Sequence, residues 1–394
     1  MTLSASPFDL SAVGEPLLAE AQKIAEDVAG PHADEVDRDA RFPHEAIAAL
    51  REARLLGAYV PIDLGGESAT IGDLAAICHA LGQRCSATAM VYAMHQIQVS
   101  CLVHHGQSVP SLRTYIESVA AQQRLLASAT TEVGVGGDVR TSLCAVDLTA
   151  ERFTLRKETP VISYGDHADD ILVTARRSAD APPSDQVIVA VDKADAVLVQ
   201  THGWDTLGMR GTCSNGYTLT ATGSADRVLP QPYADISSQT MLPVSHIVWA
   251  ALWLGIATDA VNIARTSLRS QARKSVGDIP TSASDVAVLF ADLEMVKATV
   301  VSAVRLYESR FRDPLAVTAP GVVVRMNALK TSVSSAIIRI VHGSLQVCGI
   351  AAYRNDSPLA LGRHLRDAHS AALMVHNERI LMNNGRLLCV YKGD

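Results

Sequence analysis

Val244–Ala272 reads VSHIVWAALWLGIATDAVNIARTSLRSQA. Apolar residues recur along it at helical spacing, and no proline interrupts it. Its most apolar part, Ile247 to Ala257, is too short to span a bilayer and predicts a buried helix instead. Three stretches downstream share this character: Ser284–Phe311, Pro320–Cys348 and Leu361–Val390. Long helices with few breakers, filling the chain from residue 233 to its end, predict a C-terminal four-helix bundle.

Upstream the period changes. From Leu125 to Pro232 short β-prone runs follow one another, including Phe153–Leu155, Ile171–Ala175, Val187–Val191 and Tyr217–Thr222. Gly, Pro, Asp and Ser separate them, which predicts a β segment of antiparallel type, with Ser178–Ser184 as a surface loop. Before it, helical spacing returns in Pro16–Ala29, His44–Ala53, Ile71–Cys85, Ser86–His104 and Ser111–Gln123. Phe42-Pro43 reads as a start signal and Ser86 as an N-cap. The expected fold is mostly α with a central β domain: an N-terminal helical domain (1–123), a middle β domain (124–232) and the bundle (233–394). Two helical blocks flanking one run of strands exclude an alternating βαβ layout. No GxGxxG joins a strand to a helix, so a Rossmann nucleotide site is not expected.

Composition narrows the function classes. Hydrophobic residues make up 48% of the 394 and charged residues 19%, which fits buried helix surface and not disorder. The net charge of -7 comes without a Lys/Arg run, so neither nucleic acid nor an anionic membrane is an expected partner. The opening MTLSASPFDL has neither a basic nor an apolar signal region. The cysteines (Cys78, Cys85, Cys101, Cys144, Cys213, Cys348 and Cys389) are scattered without CxxC or metal-ligand spacing, as expected of reduced thiols in the cytoplasm. His104-His105 lacks a third ligand at suitable spacing, so no metal is expected.

Five motifs then appear in order. Thr131-Glu132 with Gly136 and Asp138 opens the β segment, and Val161-Ile162-Ser163 with Gly165 and Ala168-Asp169 follows. Next come Trp204-Asp205-Thr206-Leu207-Gly208-Met209-Arg210-Gly211-Thr212 and Arg273-Lys274-Ser275-Val276-Gly277. Gln346-Val347-Cys348-Gly349 with Tyr353, Pro358, Arg363 and Arg366-Asp367-Ala368 closes the set. Each motif alone is weak. Together, in this order, they make a chain that resembles the acyl-CoA dehydrogenase family over nearly its whole length.

The resemblance implies that fold, in a homodimer or homotetramer, with FAD bound between domains and reaching a neighbouring subunit. It implies that Thr131 and Ser163 bond the flavin ring edge, where donors stabilise the reduced, anionic form. Arg273 matches an arginine on the FAD diphosphate, for which a guanidinium fork is well suited. Gln346 and Gly349 match the segment that meets the adenosine. Asn377 falls in the stretch beside the flavin. An ordinary strand hydroxyl, a bundle-face cation or a helix stop would look the same one at a time. Arg366 and Asp367 read as a structural ion pair.

The departures fall on the substrate side. Counting without a gap from Arg366-Asp367-Ala368, the family's catalytic glutamate becomes Val375, which cannot accept a proton. A minority of the family places the base on the first bundle helix; His246 stands there, also where an arginine often serves the thioester ligand. Gly137 replaces a serine beside the acyl-CoA path, Val161 a tryptophan over the flavin, Val276 a phenylalanine and Ile350 a glycine. His376, adjacent to the vacated position, is the expected replacement base, with Glu378 as its rival. The resemblance implies FAD-dependent α,β-dehydrogenation of an acyl thioester on CoA or an acyl carrier protein, with electrons passing to an electron-transfer flavoprotein or oxygen. A flavin monooxygenase or oxidase on the same fold is the alternative, and a flavin-binding protein without turnover the third.

Overall fold

The computed structural model describes residues 6–274 and 278–393. Ser275, Val276 and Gly277 of the fourth motif lie outside them.

The N-terminal block is helical. α1 (Gly14–Ile24) passes through a π-helical stretch, Ala25–Ala29, into α2 (Gly30–Arg38), and α3 (His44–Glu52), α4 (Ile71–Gly82), α5 (Ser86–Gly106) and α6 (Pro110–Gln122) follow. α4 starts on a capping box: Asp73 N donates to Thr70 Oγ1 at 3.2 Å, and Thr70 N donates to the Asp73 carboxylate at 2.8 Å. α5 starts at its expected cap, so the capping position moves one residue earlier, to Cys85. Ser86 is its first helical residue, and the Ser86 hydroxyl donates to Asp367 instead of capping.

The middle block comprises β1 (Leu126–Ala129), β2 (Asp147–Leu148), β3 (Arg152–Thr159), β4 (Asp170–Arg176), β5 (Gln186–Asp192), β6 (Ala196–His202) and β7 (Gly216–Ser224). They form two sheets, ordered β1-β4-β5 and β2-β3-β7-β6. Every pair is antiparallel except β1 with β4, which run parallel, Leu126 opposite Asp170. The alternation of apolar residues predicts strands and their buried faces, but it carries no information on the direction of a partner. β3 alternates exposed and buried residues, whereas β4 and β5 are buried almost throughout.

The C-terminal block runs α7 (Tyr233–Ile236), α8 (Leu242–Lys274), α9 (Ala283–Glu308), α10 (Pro314–Val317), α11 (Pro320–Cys348), α12 (Ile350–Tyr353), α13 (Gly362–Leu373) and α14 (Asn377–Leu388). α8, α9, α11 and the α13–α14 pair make the bundle. The expected single helix Leu361–Val390 is broken between Leu373 and Asn377, where Val375 takes φ +44°. By length and composition alone, the helical stretch Tyr233–Lys274 could cross a membrane; 83% of its apolar window is buried inside the protein. α4 and α8 touch backbone to backbone, since a Cβ at Gly255 would lie 2.5 Å from the His79 carbonyl oxygen.

One carboxylate joins the three blocks. Asp367 on α13 accepts the Ser86 hydroxyl from α5 and the Met209 amide, at 2.6 Å, from the Trp204–Thr212 loop. Arg366 pairs with Asp37 on α2, not with Asp367 as the sequence suggests, because neighbours on a helix point apart. Arg210 completes the junction by donating to the Asp37 carbonyl at 2.8 Å. Asp367→Ala leaves a buried amide and a hydroxyl without their acceptor. It is expected to lower unfolding free energy by about 2–4 kcal/mol. Urea denaturation followed by circular dichroism checks this; an unchanged midpoint removes the junction's importance.

Candidate functional site

The break between α13 and α14 is an elbow around Val375, the position that the gap-free count from Arg366-Asp367-Ala368 gives to the family's glutamate. A β-branched residue at positive φ is strained, so Val375 needs support from its surroundings. Lys330 on α11 supplies it. Its ammonium donates to the Val375 carbonyl at 3.0 Å and to Asn377 Oδ1 at 2.7 Å. Asn377 Nδ2 in turn donates to Ser334 Oγ at 3.0 Å. Lys330 is fully buried, and burial alone pushes its amine down to about 8. Lys330 was not foreseen as a site residue. The signal was a lysine on the stripe Met326, Val333, Ile337, Ile340, where the helical period calls for an apolar residue.

His246 lies on α8 behind this elbow, 1% exposed. Its Nδ1 is 3.1 Å from the Met326 carbonyl, which can only accept, so Nδ1 carries the proton and Nε2 the bare lone pair. Nε2 has no partner among the described residues. Burial, with Lys330 nearby, pushes the ring down to about 4, so it is neutral near pH 7. The side chains of His376 and Glu378 are 54% and 85% exposed on this subunit, 4.0 Å from each other.

The β block meets the elbow through α14. Arg379 donates to the carbonyls of Gly136, at 2.8 Å, and Gly137. Gly137 takes φ +75°, and a Cβ there would come within 3.3 Å of the Arg379 guanidinium. The loop is closed by Glu132, buried, which accepts Cys144 N and Ser142 Oγ at 2.6 Å each. Thr131 Oγ1 donates to the Val161 carbonyl at 3.2 Å. Ser163 Oγ accepts from Ser214 at 2.9 Å, and Ser214 pairs with Thr212 at 2.8 Å. Neither Glu132 nor Arg379 was assigned a role from sequence, since most of their partners are backbone groups.

The family model "Acyl-CoA dehydrogenase, N-terminal domain" matches residues 14–121, and "Acyl-CoA dehydrogenase, C-terminal domain" matches residues 236–383. The chain belongs to the acyl-CoA dehydrogenase family. Among curated relatives, an amino sugar nitrososynthase of Streptomyces peucetius is 27% identical over 86% of this chain and 84% of that one. A cyclohex-1-ene-1-carbonyl-CoA dehydrogenase of Geobacter metallireducens is 25% identical over 94% and 98%. The solved butyryl-CoA dehydrogenase of Megasphaera elsdenii has the same fold, with a TM-score of 0.83 at 18% identity, covering 97% of this chain and 99% of that one.

Within this acyl-CoA dehydrogenase fold the predicted site residues fall into two sets. Val375, Asn377 and His246 gather around Lys330, and Gly137 joins α14 through Arg379. Arg273 is exposed in the last turn of α8, and Gln346 is exposed at the end of α11, where Gly349, at φ +62°, stops the helix. α8 and α11 run side by side in one direction, His246 against Met326 and Trp253 near Lys330. The helix rise places His246 and Arg273 roughly 40 Å apart. The two sets therefore lie at opposite ends of α8. The polar groups fit a flavin: hydroxyls of Thr131 and Ser163 in the β block, and an exposed guanidinium, Arg273, for phosphate. Among the described residues no cluster of three or more His, Cys, Asp or Glu is arranged to hold a metal.

The neutral His246 ring ties stability to pH. Its folded value lies below the unfolded value of about 6.5. The associated stability is complete above that value and is lost as pH falls toward about 4, by about 3 kcal/mol. His79, His95 and His104 are also pushed down to about 4 by burial, so the acid loss is shared. His246→Gln is expected to make the fall of the urea midpoint between pH 6.5 and 4 shallower. An identical slope in the variant argues that the ring is not neutral in the fold.

Proposed function

We propose that the chain is a flavin-dependent oxidoreductase that does not run ordinary acyl-CoA dehydrogenation, and that it oxidises a substrate bearing a hydroxyl or N–H group with oxygen. The observation that carries this reading is the loss of the carboxylate base from both places where the family holds one: Val375 at the elbow and His246 on the first bundle helix. A ring held neutral down to about pH 4 is a weak base for a carbon-bound proton. It is a good acceptor for a polar hydrogen. The likeness to an amino sugar nitrososynthase supports the same direction.

In this reading the flavin ring lies beside Thr131 and Ser163, and Asn377 faces it from the elbow. Arg273, Gln346 and Gly349 hold the diphosphate and adenosine of the FAD of a neighbouring subunit, which calls for a homodimer or homotetramer. Bound flavin supplies two-electron oxidation and, when reduced, activation of oxygen. Lys330 fixes the elbow, and His246 accepts the substrate's polar hydrogen. Gly137 leaves the substrate path open where a side chain would crowd Arg379.

A second reading is α,β-dehydrogenation of an acyl thioester on CoA or a carrier protein, with His376 or Glu378 as the base. The family's adenosine-side residues, Arg273 and Gln346, favour it, as does the likeness to a dehydrogenase over 94% of the chain.

Rapid mixing separates the two. Under the first reading, butyryl-CoA or octanoyl-CoA bleaches the flavin about 10²–10⁴-fold more slowly than a family member with its base. Bleaching at ordinary dehydrogenase speed returns the chain to acyl-CoA chemistry. His376→Ala and Glu378→Gln then show which group serves. Flavin binding is a separate test: Arg273→Ala is expected to weaken FAD affinity at least about tenfold while the helical spectrum is kept. Unchanged affinity by titration overturns the diphosphate assignment.

A further inference from the structure

Three polar ring atoms along one face of α8 lack a partner among the described residues: His246 Nε2, Trp249 Nε1 and Trp253 Nε1. Their spacing of three and four residues puts them on one side of the helix. The rings follow one another with centroids 6.4 Å apart at each step. Lys330 lies 6.0 Å from the Trp253 ring, which ties this face to the elbow. Exposures are 1%, 7% and 0%, so bulk water does not serve these atoms. Buried polar groups are almost always paired, and three that are not, in sequence along one helix face, mark a place where a partner from outside the chain can bind.

The chemistry of the face selects that ligand. The tautomer set by Met326 makes His246 Nε2 an acceptor, whereas the two indoles can only donate. A carboxylate or phosphate would set its lone pairs against the bare nitrogen of His246. An ammonium would meet Lys330, whose charge no carboxylate offsets among the described residues. A hydroxyl both donates and accepts, and indole faces favour an aromatic ring beside it. We propose that the His246–Trp249–Trp253 face is a recognition subsite for a neutral, hydroxyl-bearing aromatic group. This deepens the proposed function by naming its substrate class, and it rests on the substrate lying beside the elbow.

Calorimetric titration of the flavin-loaded protein with phenol and with toluene, a near-isostere without the hydroxyl, tests it. Phenol is expected to bind at least about tenfold more tightly than toluene. His246→Leu should erase that preference while leaving toluene binding unchanged. His246→Gln should keep it, because its amide N–H can serve Met326 and its carbonyl oxygen can replace Nε2. Trp249→Phe, which keeps a ring but loses the donor, should weaken phenol several-fold and leave toluene alone. That variant decides the matter if the leucine variant does not fold. Equal affinity for the two probes, absence of phenol binding, or a preference that survives both His246→Leu and Trp249→Phe overturns the subsite. The flavin absorbance of the same samples reads the parent proposal independently. Flavin present without phenol preference sinks the subsite alone, and native protein unable to hold flavin sinks the parent reading.

Discussion

The carboxylate of Asp367 is shared by three parts of the chain that are far apart in sequence. It accepts from Ser86 at the start of α5 and from the Met209 amide in the Trp204–Thr212 loop, and it sits on α13 of the bundle. A buried carboxylate with two fixed donors admits one relative placement of the pieces that carry them. Arg366 beside it reaches the other way to Asp37, so the N-terminal helices are held against the same point. The helices and strands of all three blocks bury their apolar faces in one continuous core, but apolar burial alone is directionless. This junction supplies direction.

From that junction α13 runs to the elbow, and there a different constraint takes over. Val375 holds a backbone conformation that a β-branched residue avoids, and the cation of Lys330 bonds the carbonyl that this conformation presents. A desolvated lysine without a carboxylate is costly to a fold. Here its hydrogen bonds to the Val375 carbonyl and to Asn377 offset part of that cost and fix the elbow. Burial holds the His246 ring neutral, and the same ammonium adds to the cost of charging it. On α14, Arg379 clamps the Gly136–Gly137 turn and so ties the β block to the same elbow.

Much was determined by the sequence alone. The 3.6-residue period of Val244–Ala272 and its three companions specifies the bundle, and the short apolar alternations specify strands. The order of motifs identifies the family. These are local or additive properties, and local periodicity records which face of an element is buried. Partner choice was decided only by the tertiary structure. It made β1 parallel to β4, turned Arg366 toward Asp37, broke the last helix at Val375 and set the proton of His246 on Nδ1. It also brought Lys330, which reads as one lysine among many, beneath the elbow. Each of these depends on a group from elsewhere in the chain, often a backbone carbonyl whose position no side-chain pattern encodes, and so only the folded chain could supply it.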